Sequence, residues 1–550
     1  MGARIFRPKR LLTLALLAVS VAVAAWWVGH VPYDRMAIYR PIPASATVVG
    51  RHLDLPARWN DLLANPLALA LMRTAGVRTA DAAGLVADEE SRAWFEKLAG
   101  REGTLAYLPG RFGGAPAWMA VSHLGGQSQK LRWQLSLFKV PGFARMKQFP
   151  GRAVWRVDSP ALEPGQQLAI AFGEGVLLAC LSESPTAIAE VLAAYDGNVR
   201  RLMEAEPSFA RFAAEDGRSV PDRLWFRDES GFAAAESPGI AMEVSALRSD
   251  SVSLSVSAES TLPVPEDRAE SVDFASLARL LGDAPCAAAT VSREALLQLL
   301  AQPGLRGDVR HAVRMVSEVA ADRVAVVFMD GDLGGRLAWG AMSSLGLSGL
   351  RVPTVLLATP APAAAAEVIQ RILDSSNARY RAAFVLQPVP VPPATIHVLE
   401  SAGGNEWVDA LSRSDRPAYA VVDGWLLVAS NLGALKKLVQ PETARRIDPG
   451  VPAWAAPADR ASAVSVWLDL ARSGKVARDA IATWSMAQMF LNSGNSQAVR
   501  ERLNEVRVWI DAFIPLGEAR AELGNRGGRI ALAVDLGLSP AGGLDRISAP

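Results

Sequence analysis

The pattern of apolar and polar residues along the chain begins with an unbroken apolar run, Leu11 to Val28, which contains no charged residue. A helix of this length spans about 27 Å, close to the thickness of the hydrocarbon layer of a bilayer. Trp26 and Trp27 end the run where an interfacial aromatic belt would lie. The run therefore predicts a transmembrane helix over residues 11–28 that acts as a signal anchor.

The charges around this run predict its orientation. Residues 1–10 form a basic tail that contains Arg4, Arg7, Lys9 and Arg10. Such a tail stays on the cytoplasmic side, so we expect a single-pass membrane protein with the bulk of the chain exported. A cleaved signal peptide, with Ala22-Val23-Ala24 before the cut, is the alternative and leads to the same compartment.

Short segments of alternating apolar and polar residues predict β-strands in the rest of the chain. Two β-hairpins are expected, the first with strands 104–108 and 117–121 around Gly113-Gly114, the second with strands 324–328 and 337–342 around Gly334-Gly335. Two later strands are expected at 252–256 and 530–534. Hairpins separated from helices favour an α+β fold with a mixed, mainly antiparallel sheet.

Three collinear matches indicate an internal duplication. They pair 43–51 with 285–293, Gly110 through Trp118 with Gly331 through Trp339, and 175–179 with 424–428. The last pair leads in each copy into a helix, 185–194 or 432–439. We therefore predict two tandem α+β repeats, at 41–265 and 272–540.

An amphipathic stripe of apolar residues is found in the second predicted repeat only. Its apolar residues are spaced by four, three, four and three positions: Val499, Leu503, Val506, Ile510 and Phe513. Ser493-Gly494-Asn495-Ser496 precedes it as a turn, which predicts a helical hairpin near 476–513. The stripe either completes the core of its own domain or offers a surface to an envelope protein partner or to the membrane.

Composition narrows the functional classes. The 550 residues exceed what one hydrophobic core normally serves, and 50% hydrophobic with 21% charged residues is typical of a globular chain. Lys+Arg 57 against Asp+Glu 56 gives a net charge of +1. This balance provides no overall field to attract nucleic acid, so no nucleic-acid partner is expected.

No catalytic, cofactor-binding or metal-binding residues are predicted. The five histidines, His30, His52, His123, His311 and His397, lie far from one another and from both cysteines, so zinc-ligand spacing is lacking. The chain also lacks the GxSxG, HExxH and GxxxxGK[ST] motifs. Cys180 and Cys286 lie in strand-like segments, which favours buried thiols over a single disulfide between them.

Several segments resemble uncharacterised membrane-anchored bacterial envelope proteins with a duplicated exported α+β region. The segments that carry the resemblance are Pro43 to Val49, Glu206-Pro207-Ser208-Phe209, Leu224-Trp225-Phe226 and Val466 to Leu470, behind the N-terminal membrane helix. The resemblance covers most of the chain and implies this topology and fold, in a single-pass protein of the bacterial inner membrane with its N-terminus in the cytoplasm and the bulk of the chain in the periplasm. It implies no activity.

These observations favour a membrane-tethered periplasmic protein that acts by binding, as a scaffold or as an accessory subunit of an envelope complex. An enzymatic function is less favoured. The alternative is an exported hydrolase with its site in the cleft between the two repeats, where pockets often form.

Overall fold

A computed structural model describes most of the chain. The described residues are 16–20, 30–74, 83–84, 86–110, 115–149, 151–158, 162, 164–215, 220–227, 239–248, 251–258, 274–281, 285–301, 306–330, 335–336, 351–403, 413–440, 454, 462–491, 496–526 and 529–537. The chain divides into two compact units. The first comprises Met1–Leu63 and Ala75–Ser245, and the second Ala64–Thr74 and Ala246–Pro550.

The described residues in the first half of the chain form nine strands: β1 (Val48–Leu53), β2 (Glu102–Leu108), β3 (Ala117–His123), β4 (Phe143–Arg145), β5 (Val154–Val157), β6 (Gln167–Phe172), β7 (Val176–Ser182), β8 (Asp222–Arg227) and β9 (Gly239–Leu247). Its helices are α1 (Leu55–Ala64), α2 (Pro66–Thr74), α3 (Glu89–Ala99), α4 (Gln127–Leu137), α5 (Ile188–Tyr195), α6 (Leu202–Ala205) and α7 (Pro207–Ala214), with a 3-10 helix at Arg35–Ile38.

The strands of the first unit form one antiparallel sheet in the order β9-β8-β1-β2-β3-β7-β6-β5-β4. Side chains alternate between its two faces, as β7 illustrates. Val176, Leu178 and Cys180 belong to one core cluster, while Leu177 and Ala179 belong to another. Both faces of this sheet are therefore covered.

In the second half, the part that the structure describes forms thirteen strands: β10 (Val252–Ala258), β11 (Pro285–Ser292), β12 (Arg323–Met329), β13 (Gly335–Arg336), β14 (Arg351–Val352), β15 (Thr354–Pro360), β16 (Phe384–Val391), β17 (Ala394–Ser401), β18 (Ala418–Val422), β19 (Trp425–Ala429), β20 (Ser462–Asp469), β21 (Glu518–Arg526) and β22 (Arg529–Leu536). Its helices are α8 (Ala275–Leu281), α9 (Arg293–Ala301), α10 (Gly307–Val319), α11 (Ala365–Tyr380), α12 (Leu432–Val439), α13 (Leu470–Leu491) and α14 (Ser496–Phe513), with 3-10 helices at Arg413–Asp415 and Ile514–Leu516.

The main sheet of the second unit is also antiparallel, in the order β10-β22-β21-β20-β11-β12-β15-β19-β18-β17-β16. The two short strands β13 and β14 pair separately. The turns before β7 and β19 contain Gly175 and Gly424, whose φ angles of 75° and 78° lie in the left-handed region that favours glycine. The predicted α+β class is confirmed.

Several predicted elements are confirmed. The hairpin around Gly113-Gly114 is formed by β2 and β3. Both late strands are present as β10 and β22, and the predicted helical hairpin is present as α13 and α14, which pack against each other.

The second predicted β-hairpin is wrong. Residues 324–328 lie in β12, but the two neighbours of β12 in the sheet are β11 and β15. Residues 337–342, predicted as its partner strand, lie outside the described residues. Gly335 belongs instead to β13, which pairs with β14. The shared diglycine spacing therefore marks different connections in the two halves of the chain.

The N-terminal segment is described only in part. Residues 16–20 are helical, while the basic tail 1–10 and the rest of the segment 11–28 lie outside the described residues. No helix in the described part of the chain is both long enough and apolar enough to cross a membrane.

Candidate functional site

Charged side chains lie together at one end of three interior strands of the first sheet, where β1 ends and β2 and β8 begin. His52 lies opposite Asp222 in the β1–β8 register, and its Nδ1 is 2.7 Å from the Asp222 carboxylate. Arg58, one turn into α1, donates to both carboxylate oxygens at 2.6 and 2.8 Å and also to the carbonyl of Leu53. One carboxylate thus joins two strands and a helix.

These contacts determine the charge of Asp222. Burial alone would raise the pKa of its carboxyl group, but hydrogen bonds and charges from Arg58 and His52 outweigh it and lower the pKa to about 2. The Arg58 guanidinium and the His52 ring thus hold Asp222 as an ionised carboxylate. Nε2 lies over the strand backbone, since a Cβ on Gly50 would be 2.9 Å from it.

A second cluster lies on the other face of the same three strands. Arg51 is buried and donates to Glu102 at 3.1 Å, while the hydroxyl of Tyr33 donates to the other oxygen of that carboxylate at 2.5 Å. Buried charges are stable when they are paired in this way. The cluster therefore fastens the segment before β1 to the centre of the sheet.

Arg223, the cross-strand neighbour of Arg51, is equally buried. It pairs with Glu243 at 2.9 Å and with Glu215, and its guanidinium lies 4.6 Å from the ring centroid of Phe212. Two adjacent buried arginines would repel each other without these carboxylates. These ion pairs account for the many charged residues at this end of β1, β2 and β8.

The second unit has a polar cluster at the start of its own strands. Arg323, at the start of β12, is buried and donates to the carbonyl of Ser462, the first residue of β20. The Ser462 hydroxyl donates to Glu522 at 3.1 Å, and Glu522 pairs with Arg520 at 3.0 Å. The polar clusters of both units thus hold strands together. In the described part of the chain, no three His, Cys, Asp or Glu side chains are grouped to hold a metal.

A different kind of surface lies on α4. The inward side of this helix carries Leu131 and Leu135, which pack in the cluster that contains Trp155 and Phe172. Apolar side chains nevertheless project outward at the end of the helix. The exposed fractions are 51% for Trp133, 76% for Leu137 and 68% for Phe138.

The segment around α4 is strongly basic. No acidic residue occurs between Glu102 and Asp158, while eight basic residues do: Arg111, Lys130, Arg132, Lys139, Arg145, Lys147, Arg152 and Arg156. Arg152 and Arg156 pair with Asp196 and Asp158. The name "α4 surface" is used below for six exposed residues: Lys130, Arg132, Trp133, Leu137, Phe138 and Lys139.

The residues predicted as a partner surface on the helical hairpin are not brought together on one exposed face. Phe513 packs in a core cluster of the second unit, and Ile510 lies beside Gly474 of α13. Leu503 is half-buried, whereas Val506 is exposed. The side chain of Val499 lies outside the described residues.

Both cysteines are buried free thiols, as the sequence analysis predicts. Burial raises the pKa of the Cys180 thiol to about 12, with the charge of Glu190 as a lesser cause. Burial, followed by the charge of Asp330, also raises the pKa of Cys286. Such thiols are poor nucleophiles at neutral pH.

Comparison with protein-family models, with curated proteins and with solved structures found no match to this chain. The α4 surface and the polar clusters are therefore the observations from which a function can be argued.

Proposed function

We propose that the chain is a membrane-tethered periplasmic protein of the bacterial envelope that acts by binding, as a scaffold or accessory subunit, without catalysis. The observation that carries this proposal is the α4 surface. The side chains of Leu137 and Phe138, at the end of α4, are mostly exposed to solvent. An exposed apolar patch that is bordered by polar residues is typical of an interaction site.

The polar clusters support the same conclusion. Asp222, Arg51 and Arg223 have their charges neutralised by partners within the first unit. Their ion pairs link neighbouring strands and so stabilise the sheet. The α4 surface, in contrast, has cations and apolar groups that make no comparable contribution to the core.

We also infer that the two units arose by duplication. The first unit runs β9-β8-β1-β2-β3-β7-β6-β5-β4, and part of the second runs β21-β20-β11-β12-β15-β19-β18-β17-β16. Each strand of one series occupies the same place in chain order as its counterpart in the other, apart from the short strands β13 and β14. A membrane anchor followed by two such repeats is the architecture that we propose. An experimental structure in which the two units do not superpose would contradict it.

Photo-crosslinking in cells tests the binding function. A benzophenone amino acid is placed at Phe138 in the full-length chain, with Tyr380 as the matched control. Tyr380 is also an exposed aromatic residue, at the end of α11, which precedes β16 just as α4 precedes β4. We expect a covalent adduct with another macromolecule or lipid from position 138 and none from 380. No adduct from position 138 would overturn the proposal.

An exported hydrolase is the second candidate, and one observation favours it: the His52–Asp222 pair has the geometry of an oriented general base. Its site would then lie within the first unit. Arg58 already engages both oxygens of Asp222, so we expect no hydrolysis of chromogenic esters, phosphates or glycosides. An activity that disappears in the His52→Gln variant would favour the hydrolase.

A further inference from the structure

We propose that the α4 surface docks onto anionic phospholipid headgroups of the same bilayer that holds the N-terminal anchor. This inference rests on the proposed function and gives its binding surface a partner. It follows from where the chain would leave the membrane, from the charge of the surface, and from the apolar side chains at its end.

Val31, three residues after the expected anchor, lies beside the turn that leads into α4. Val31 packs on Gly175, since a Cβ placed there would be 2.8 Å from the Val31 side chain. The amides of Leu124 and Gly125 donate to the carbonyl of Gly175 at 2.8 and 2.9 Å, and Gly126 is the N-cap of α4. Since residues 29 and 30 alone separate Val31 from the end of the expected anchor, α4 would begin beside the point where the chain leaves the bilayer.

The reach of α4 is short. Its eleven residues extend about 16 Å at about 1.5 Å per residue. Phe138, which follows the helix, is therefore within a short distance of that exit point. A tether also keeps the surface at a high effective concentration near the headgroups, so that weak affinity is enough for docking.

The charge of the surface is complementary to anionic lipid. Lys130, Arg132 and Lys139 are exposed, and so are Arg145 and Lys147 just beyond them. Among the described residues no carboxylate forms an ion pair with any of these five cations. Basic residues near an anionic leaflet each strengthen attraction to it, and lysine can do so while its alkyl chain lies along apolar groups.

The apolar side chains favour lipid over an acidic protein or a nucleic acid. Lys130, Trp133 and Leu137 are spaced by three and four residues, so they share the outward side of α4. Trp133 has the amphipathic ring that prefers the membrane interface, and Leu137 with Phe138 can enter the acyl boundary between the flanking cations.

The corresponding helix of the second unit offers a natural control. Helix α11 also ends in an exposed aromatic residue, Tyr380. Glu367 and Asp374 accompany its arginines, so its surface has mixed charge. Exposure of an aromatic group is common to both helices, whereas the uniform positive charge is found on α4.

The test uses the full-length chain reconstituted in vesicles, with an environment-sensitive fluorophore on Phe138→Cys or, as the matched control, on Tyr380→Cys. The native cysteines are buried and do not compete for the label. The vesicles contain phosphatidylcholine with brominated acyl chains, either alone or mixed with phosphatidylglycerol. We expect quenching by the brominated chains at position 138 in the mixed vesicles and little at position 380.

Charge variants make the test specific. Lys130→Gln and Lys139→Gln are each expected to lower the ratio of docked to free protein about fivefold, while Lys139→Arg retains it. Salt near 1 M, where the screening length is about 3 Å, should release the surface. Equal quenching in phosphatidylcholine alone, equal quenching at position 380, or no quenching at position 138 would overturn the inference. A protein adduct from the crosslinking experiment, combined with no quenching, would refute lipid docking and leave the binding function standing.

Discussion

Neutralising Asp222 is the perturbation whose cost the structure defines best. Its carboxyl group titrates at about 2 when folded, against an ordinary value of 3.8. At about 1.36 kcal/mol for each pKa unit, this difference corresponds to about 2 kcal/mol of stability at neutral pH. The Asp222→Asn variant should lose at least this amount, because Arg58 and His52 then face a neutral amide.

The pH dependence has a definite sign. A folded pKa below the unfolded one contributes stability that is fully present above the unfolded value and is lost as the pH falls through the folded value. The free-energy difference between wild type and Asp222→Asn should therefore be constant near neutral pH and shrink between about pH 5 and pH 2.

A local probe is needed because two units need not unfold together. Trp225 is buried on β8, three residues from Asp222. Its fluorine resonance in a 5-fluorotryptophan-labelled chain, assigned with a Trp225→Phe variant, can follow urea unfolding at each pH. A difference that stays constant down to pH 2, or Asp222→Asn with wild-type stability, would refute the reasoning.

The surface pair Arg156–Asp158 provides the control. Its atoms are 2.8 Å apart, but 56% of the Asp158 side chain is exposed. Exposed pairs contribute less than about 1 kcal/mol, since water and salt screen them. Asp158→Asn should therefore change the unfolding free energy little and should not alter its pH dependence.

Two further predictions concern the cysteines and two glycines with left-handed backbone. Cys180 and Cys286 should resist alkylation until the chain unfolds, because both are buried and burial raises the pKa of both thiols. With a pKa of about 12, the Cys180 thiol is ionised in about one molecule in ten thousand at pH 8. Rapid modification of the native chain, or a Cys180–Cys286 crosslinked peptide in mass spectrometry, would contradict this. Gly424→Ala should cost about 1 kcal/mol for its left-handed backbone, and Gly175→Ala should cost more, because its Cβ would also press on Val31; equal losses of unfolding free energy in chemical denaturation would contradict this.

Hydrophobic periodicity was enough to predict the α+β class and several strands, because alternate side chains of a strand such as β2 differ in burial and leave a period of two in the sequence. Strand pairing was predicted only where the partners are adjacent, as in β2 and β3. The partner of β12 is β15, which follows after a segment that includes β13 and β14. A diglycine marks a turn, but it does not determine which strand comes back to the sheet.

The compact units also depart from the sequence repeats in two places. The predicted first repeat runs to residue 265, whereas the longer segment of the second unit already begins at Ala246. Residues 64–74 lie within the predicted first repeat, yet they belong to the second unit. Helix α2 packs there against α14, and Leu67 joins the cluster that contains Phe513. A collinear alignment follows chain order, so it has no means of predicting that a helix from one half contributes to the core of the other unit.

The candidate sites were hidden from sequence reasoning for two different reasons. His52 and Asp222 are 170 positions apart, and no local spacing connects them. The α4 surface did have a local signal, the absence of acidic residues between Glu102 and Asp158. A net charge of +1 averaged over 550 residues concealed it. Charge counted over windows of a few tens of residues would have found it.

One difference between the two units lies where the anchor would meet the fold. Gly175 and Gly424 occupy the same turn before corresponding strands, but Val31 covers Gly175, whereas a Cβ at Gly424 would have no atom within 4 Å. Helix α4 lies next to the covered turn and is uniformly basic, while α11 carries both signs of charge. Sheet stability does not require this difference, since both sheets have the same strand series. The proposed docking of the α4 surface onto anionic lipid accounts for the difference, because it places a requirement for positive charge on α4 and none on α11.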